Sequence, residues 1–138
     1  MEFKIYDTLP QEAVLIRETV FVKEQGFCEE FDETDAGSRH LVLFDGNIPV
    51  ATCRFFKELK DDVYVIGRIA VMKDYRGRGL GADIVKEAER HIRGMGGRKV
   101  CLHAQKRVEK FYSGLGYCVY GEEDSDEGCP HVWMEKEL

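Results

Sequence analysis

Val63-Tyr64-Val65-Ile66-Gly67-Arg68-Ile69-Ala70-Val71, followed by Arg76-Gly77-Arg78-Gly79-Leu80-Gly81-Ala82, is the stretch whose reading sets the fold. The first segment is a long apolar run rich in β-branched residues and reads as a central strand. Gly67 in its middle marks a bulge or a point of close approach. The second segment is a basic, glycine-rich loop. After it Leu80, Ile84, Val85, Ala88, Ile92 and Met95 recur at helical spacing, with Asp83, Glu87, Arg90 and Arg93 on the other face. A buried strand thus runs through the loop into an amphipathic helix. Glycines let backbone amides approach a ligand, the helix N-terminus adds the positive end of its dipole, and Arg76 and Arg78 add charge. That combination suits a pyrophosphate.

Two nucleotide folds use loops of this kind, and the neighbouring residues argue against both. Gly77, Gly79 and Ala82 match the dinucleotide fingerprint, which requires an acidic residue about twenty positions on to hold the ribose. The chain has Arg98-Lys99-Val100-Cys101-Leu102-His103 there, without an acid. A hairpin also precedes the loop, where a Rossmann domain usually opens with it. No Gly-Lys-Ser/Thr follows, so a Walker loop is absent.

Outward from the loop, toward the N-terminus, comes a turn around Lys60-Asp61-Asp62. Before it a hairpin joins strands at 41–44 and 50–56 through Asp45-Gly46-Asn47, with Pro49 at a strand edge. An irregular acidic stretch covers 28–38. The helix before it places Val14, Leu15, Glu18, Phe21 and Val22 on one side, opens on a Thr8/Gln11 capping box with Pro10 in its first turn, and ends at Gln25-Gly26. Residues 3–6 alternate as a first strand. Toward the C-terminus Gly94, Gly96 and Gly97 stop the long helix, and Val100-Cys101-Leu102 is a short strand. Val108, Phe111, Tyr112 and Leu115 mark a short helix capped by Gly116, and 117–120 and 132–135 are two last strands. Strands precede, separate and follow the helices, which predicts a mixed α+β sheet in one domain over residues 1–138.

The 138 residues are 43% hydrophobic and 33% charged, with a formal net charge of -6, which disfavours nucleic acid as the main partner. No apolar run approaches membrane-spanning length, and the N-terminus has no signal-peptide profile. The cysteines (Cys28, Cys53, Cys101, Cys118 and Cys129) are odd in number and lack a two-residue spacing, which points to reduced thiols in a cytoplasmic protein. Asp32, Asp35, His40 and His131 match no metal-binding spacing, so no metal is expected.

Ile69-Ala70-Val71 with Arg76-Gly77-Arg78-Gly79-Leu80-Gly81 resembles the signature of the GNAT N-acetyltransferases, whose loop reads Gln/Arg-x-x-Gly-x-Gly/Ala. A second block agrees: Gln105 stands seven residues before Tyr112, which is followed by Leu115-Gly116-Tyr117, where family members carry Asn, Tyr and a Leu/Gly/aromatic ending. Gln in place of Asn is a departure that bears on the cofactor hydrogen bond. Along most of its length the chain is similar to the small ElaA-like, YjcF-like branch. The matching segments are 20–25, Asp32 with Asp35, His40, Ile66-Gly67-Arg68, Ala104-Gln105 and Asp126-Glu127-Gly128-Cys129-Pro130-His131. The resemblance implies an acyl-CoA N-acyltransferase fold, a mostly antiparallel sheet of about seven strands flanked by about four helices, with the fourth and fifth strands splayed near Gly67. It implies acetyl-CoA as co-substrate, held by Ile69, Ala70 and Val71 through strand-like pairing, by Arg76, Gly77, Arg78, Gly79, Leu80, Gly81 and Ala82 at the pyrophosphate, and by Gln105.

Acetyl transfer to an amine needs a placed thioester, a polarised carbonyl, a neutral amine and a protonated leaving thiolate. Backbone amides near Ile69 to Val71 can polarise the carbonyl. Tyr112 looks like the family's general acid, since a phenol can donate without being ionised at rest. For the base, Glu24 at the end of the first helix and His131 near the last strand are candidates, with His40 and His103 behind them. The acceptor is a small-molecule or peptide amine. If the acidic stretches Glu24 to Asp35 and Glu122 to Glu127 rim its pocket, it is a cationic one; the alternative is a solvated acidic surface. A non-catalytic acyl-CoA-binding module is the rival function. The oligomer is expected to be a monomer or homodimer.

Overall fold

The computed structural model describes residues 1–59 and 62–138, so the turn expected at Lys60-Asp61-Asp62 falls largely outside the described residues. The elements run β1 (Glu2–Tyr6), α1 (Gln11–Arg17), β2 (Arg39–Asp45), β3 (Ile48–Lys57), β4 (Val63–Val71), α2 (Leu80–Gly94), β5 (Lys99–Gln105), α3 (Glu109–Gly114), β6 (Cys118–Asp126) and β7 (Cys129–Glu137). The strands form one sheet in the order β1-β2-β3-β4-β5-β7-β6. Every pairing is antiparallel except β4–β5. Among the described residues there are three α-helices, and the first continues as a π-helical segment, Glu18–Glu24.

Alternation along β2 builds two cores, because successive strand residues point to opposite faces. Leu41 and Leu43 pack with Ile84, Val85, Ala88 and Ile92 of α2 on one face. Val42 and Phe44 pack with Ala13, Ile16, Val20 and Phe21 on the other. Full burial of each such aliphatic side chain contributes about 1.5–3 kcal/mol.

The first helix departs from its sequence reading in two ways. Its N-cap is Pro10 with no side-chain cap, so the Thr8/Gln11 capping box does not form. Its buried face is Ala13, Ile16, Arg17, Val20 and Phe21, whereas Leu15 is exposed. Arg17 is the reason: an arginine normally signals the solvent face, and here it is buried against carboxylates, turning the stripe by about one residue. The acidic stretch at 28–38 is also more ordered than expected, with a 3-10 turn at Glu33–Gly37 closed by an Asp32/Asp35 capping box. Glu122 to Asp126, read as a loop, belong to edge strand β6.

The feature that positions the site is the parting of β4 and β5. Their pairing covers only Val63↔Lys99, Tyr64↔Val100 and Val65↔Cys101. β4 continues to Val71 and stays paired with β3, while β5 continues to Gln105 and stays paired with β7. From Ile66 onward the β5-facing edge of β4 has lost its strand partner. The register between β3 and β4 shifts opposite Thr52/Arg54. The left-handed residue at this bulge is Arg68, with φ +52°, one position after the expected Gly67. A non-glycine residue there costs roughly 1–2 kcal/mol.

Candidate active site

A cavity of about 410 Å³ fills the gap between the splayed strands. Its walls include Ile69, Ala70 and Val71 from β4, Arg76 and Gly81 from the loop and the start of α2, Gln105 from β5, Tyr112 from α3, Glu24 from the first helix and His131 from β7. With His103 of β5, ten of the candidate site residues therefore meet around one space. Gly77, Arg78, Gly79, Leu80 and Ala82 build the turn and first helical positions beside it and do not line it.

The loop is shaped by its glycines. Gly77 has φ +80° and Gly79 φ +77°, conformations L side chains rarely adopt, so the tight entry into α2 depends on them. Gly79 is the N-cap of α2 and offers no side-chain cap to the first turn, whose leading amides have no intrahelical acceptor. Gly81 lies close to Phe111, whose Cζ would stand 3.3 Å from an added Cβ. The two arginines are turned elsewhere. Arg78 lies over the Tyr75 ring at 4.8 Å. Arg76 donates to Val71 O (3.0 Å) and to both Glu24 carboxylate oxygens (2.6 and 2.9 Å). The anion-binding capacity of this corner thus resides in the backbone amides and the helix end.

Tyr112 is buried and lines the cavity, and its hydroxyl makes no hydrogen bond among the described residues. Burial, with a smaller effect from Cys53, pushes its phenol up, so it keeps its proton at neutral pH. The hydrogen bond from Arg76 holds the Glu24 carboxyl below its ordinary range, which makes it a poorer base. His131 is buried, and its Nδ1 lies 2.8 Å from Cys129 O. A carbonyl only accepts, so Nδ1 carries the hydrogen and Nε2 is the ring nitrogen available to take up a proton. His103 stacks on Trp133 with centroids 4.7 Å apart, meets the His131 ring at a tilt with centroids 4.6 Å apart, and holds Asp124 at 2.7 Å. His40 lies away from the cavity, buried with Nε2 on Asp35 O. Gln105 donates to Gln25 Oε1 (2.8 Å) and accepts from Arg107 Nε (2.9 Å).

One wall was not visible in the sequence. Arg17 pairs with Glu30 and Asp35, Arg54 with Asp32 and Asp35, and Arg68 with Glu30 and Asp32. This cluster ties the 28–38 segment to α1, β3 and β4, and Glu30 and Arg68 face the cavity. Burial would raise Asp35, but hydrogen bonds from Arg17 and Arg54 outweigh it and bring it down to about 2. Glu30 responds oppositely, because burial outweighs its arginines and raises it. Four carboxylates of the first acidic stretch, Glu24 on Arg76 and Glu30, Asp32 and Asp35 in this cluster, are therefore committed to arginines. The only early signal was that Arg17, Arg54 and Arg68 stand inside apolar runs. Among the described residues no group of His, Cys, Asp and Glu is placed to hold a metal, and no helix is long and apolar enough to cross a membrane.

The family profile described as "Acetyltransferase (GNAT) domain" matches residues 6–138. YjcF of Bacillus subtilis, described as an uncharacterized N-acetyltransferase, is 38% identical over 130 residues, covering 92% of this chain and 91% of YjcF. The crystal structure of Escherichia coli ElaA superimposes with a TM-score of 0.88 at 25% identity, covering 99% of each chain. A Lactobacillus plantarum protein, provisionally described as an N-acetyltransferase, superimposes with a TM-score of 0.91 at 29% identity over 99% of this chain and 97% of its own.

Proposed function

This chain belongs to the acetyltransferase (GNAT) family, and from that premise we propose that it transfers an acetyl group from acetyl-CoA to a primary amine by direct attack in a ternary complex. The observation that carries the reading is a cavity lined together by the unpaired stretch of β4, by Gly81 in the first turn of α2 beside its uncapped N-terminus, and by Tyr112. Residues 1–138 act as one such domain, working in the cytoplasm; the unpaired state of all five cysteines supports that location.

The residues present fit acetyl-CoA. An opened strand edge offers amides and carbonyls to an extended amide-bearing chain, so Ile69, Ala70 and Val71 would hold the pantetheine arm. The amides from Gly77 through Ala82 would hold the pyrophosphate at the helix end. Arg76 and Arg78 would join them only by leaving Glu24 and the Tyr75 ring. Gln105 would reach the arm only by giving up its bond to Gln25 or Arg107. Acetyl-CoA supplies a thioester: the amine nitrogen forms the new C–N bond, and the C–S bond breaks with its electron pair on sulfur.

The chain's own groups then have distinct tasks. A β4 amide near Ile69 polarises the carbonyl oxygen. Tyr112 donates from its hydroxyl to the departing sulfur, a task its raised pKa suits because the proton stays in place until called on. His131 Nε2 takes the proton of the attacking amine. Glu24 anchors Arg76, which makes it a positioning residue more than a base. A cationic acceptor loses one of its two supports, since Glu30, Asp32 and Asp35 are neutralised by arginines.

The test is release of free CoA thiol from acetyl-CoA in the presence of a panel of primary amines. Amine-dependent release supports the enzyme. Tight acetyl-CoA binding with no release for any amine would instead mark a binding module.

A further inference from the structure

The main cavity shares a wall with a second one of about 280 Å³. Gln25, Phe27, Gln105 and Arg107 line both. Hydrogen bonds run along this wall from Arg107 Nε to Gln105 Oε1 and from Gln105 Nε2 to Gln25 Oε1. The wall joins the end of the first helix to the end of β5, and Glu127 of the β6–β7 turn closes the far side.

Two charged side chains face the second cavity, and they differ in what they have left to offer. Glu127 uses both carboxylate oxygens to accept the amides of Cys28 (2.8 Å) and Glu29 (3.0 Å). Those bonds hold its carboxyl below the usual range and tie the β6–β7 turn to the 28–29 backbone, whose Glu29 lines the main cavity. Arg107 uses only Nε. Its two terminal nitrogens have no hydrogen bond or ion pair among the described residues. Glu24, whose carboxylate feels the Arg107 charge, is already bonded to Arg76. A planar guanidinium with its outer donors open fits a carboxylate held by two parallel hydrogen bonds.

We propose that the second cavity is the outer compartment of the acceptor site, and that the acceptor is an elongated amine carrying a carboxylate at its far end, which Arg107 holds. This deepens the acetyltransferase reading and rests on it. An amine placed near Tyr112 and His131 would extend along the shared Gln25–Gln105–Arg107 wall, so the acceptor class is that of an ω-amino acid or a short peptide with a free carboxyl end. The open donors of Arg107 are the specificity element, and Glu29 and Asp126 on the main cavity, which have no ion pair among the described residues, remain for the ammonium end.

The experiment needs no turnover. CoA is linked through a thioacetyl amide to linear tails of increasing length that end in either a carboxylate or an ammonium group. Binding is measured calorimetrically and divided by the affinity of unmodified CoA for the same protein. Carboxylate tails long enough to reach the wall are expected to bind about tenfold more tightly than ammonium tails of equal length, the scale of a charge-assisted bond. Arg107→Gln, at an exposed position, is expected to bring the two series together. Ammonium tails that bind as tightly as carboxylate tails would overturn the proposal. So would an Arg107→Gln protein that loses affinity for unmodified CoA by the same factor, since Arg107 would then serve the cofactor's phosphates. Failure of unmodified CoA to bind is a separate result: it removes the acetyltransferase reading, and this inference with it.

Discussion

Two regions of this protein are dense in charge, and they use it in opposite ways. In the cluster of Arg17, Arg54 and Arg68 with Glu30, Asp32 and Asp35, each guanidinium lies against carboxylates of the same chain, with contacts of 2.7–3.3 Å. Around the glycine loop the two arginines are also engaged, on Glu24 and Tyr75, yet the amides that open α2 are left without acceptors. The first region closes on itself and fixes a wall. The second stays open, and its open groups belong to the backbone. A charged side chain in a sequence does not name its partner, whereas a glycine-opened helix end carries unmet donors wherever it is placed.

The comparison breaks most readily at the closed cluster. Arg17→Met should lower the urea-unfolding free energy by about 3–5 kcal/mol, because Glu30 and Asp35 would keep their burial and lose their counter-charge. A loss below about 1 kcal/mol, the range of a surface pair, would show that the cluster is solvated in solution. At the open region Tyr112→Phe should lower kcat by about 10²-fold or more while acetyl-CoA affinity changes little. Equal turnover in the two proteins would remove Tyr112 from the chemistry.

A pH measurement sharpens the contrast on a smaller scale. Asp35 sits at about 2 in the folded protein, below its unfolded value of roughly 3.9. Its contribution is therefore complete above pH about 4 and is lost as pH falls toward about 2. Glu30, raised by burial, has the opposite sign and loses its contribution as pH rises through its folded value. Urea unfolding across this acid range should thus be steeper for the natural protein than for Asp35→Asn; parallel curves would contradict the pairing. The smallest effect is expected from Glu24→Gln, which touches a half-exposed pair worth about 0–1 kcal/mol. If that variant abolishes turnover and His131→Gln does not, the base is Glu24.

Much of the fold was legible because it rests on local patterns. The β4 run, the α2 periodicity and the glycine loop each declare their element over a short stretch, and the Gly46-Asn47 turn with φ +59° at Gly46 joins β2 and β3 as the sequence suggested. What stayed hidden depends on partners distant in the chain. Arg17 reads as the solvent face of a helix until Glu30 and Asp35 are folded over it, which is why Leu15 was placed inside and Arg17 left out. The β6 acids read as a loop because nothing local shows that β7 pairs with them. In the site, the glycine loop was legible from its own residues, and Tyr112 was singled out by its resemblance to the family's tyrosine; both Tyr112 and Gly81 line the cavity. Arg107 and Gln25 were not found, because their significance lies in hydrogen bonds that reach Gln105 from other elements.

The central claim is that the open helix end and strand edge are built for acetyl-CoA, and calorimetric titration tests it most directly. Acetyl-CoA should bind saturably to the natural protein, NADH and ATP should give no comparable heat, and Gly79→Trp, which forces a bulky residue into φ +77° at the N-cap of α2, should weaken acetyl-CoA by at least about tenfold. No acetyl-CoA binding, or equal binding by the Gly79→Trp protein, would contradict the account.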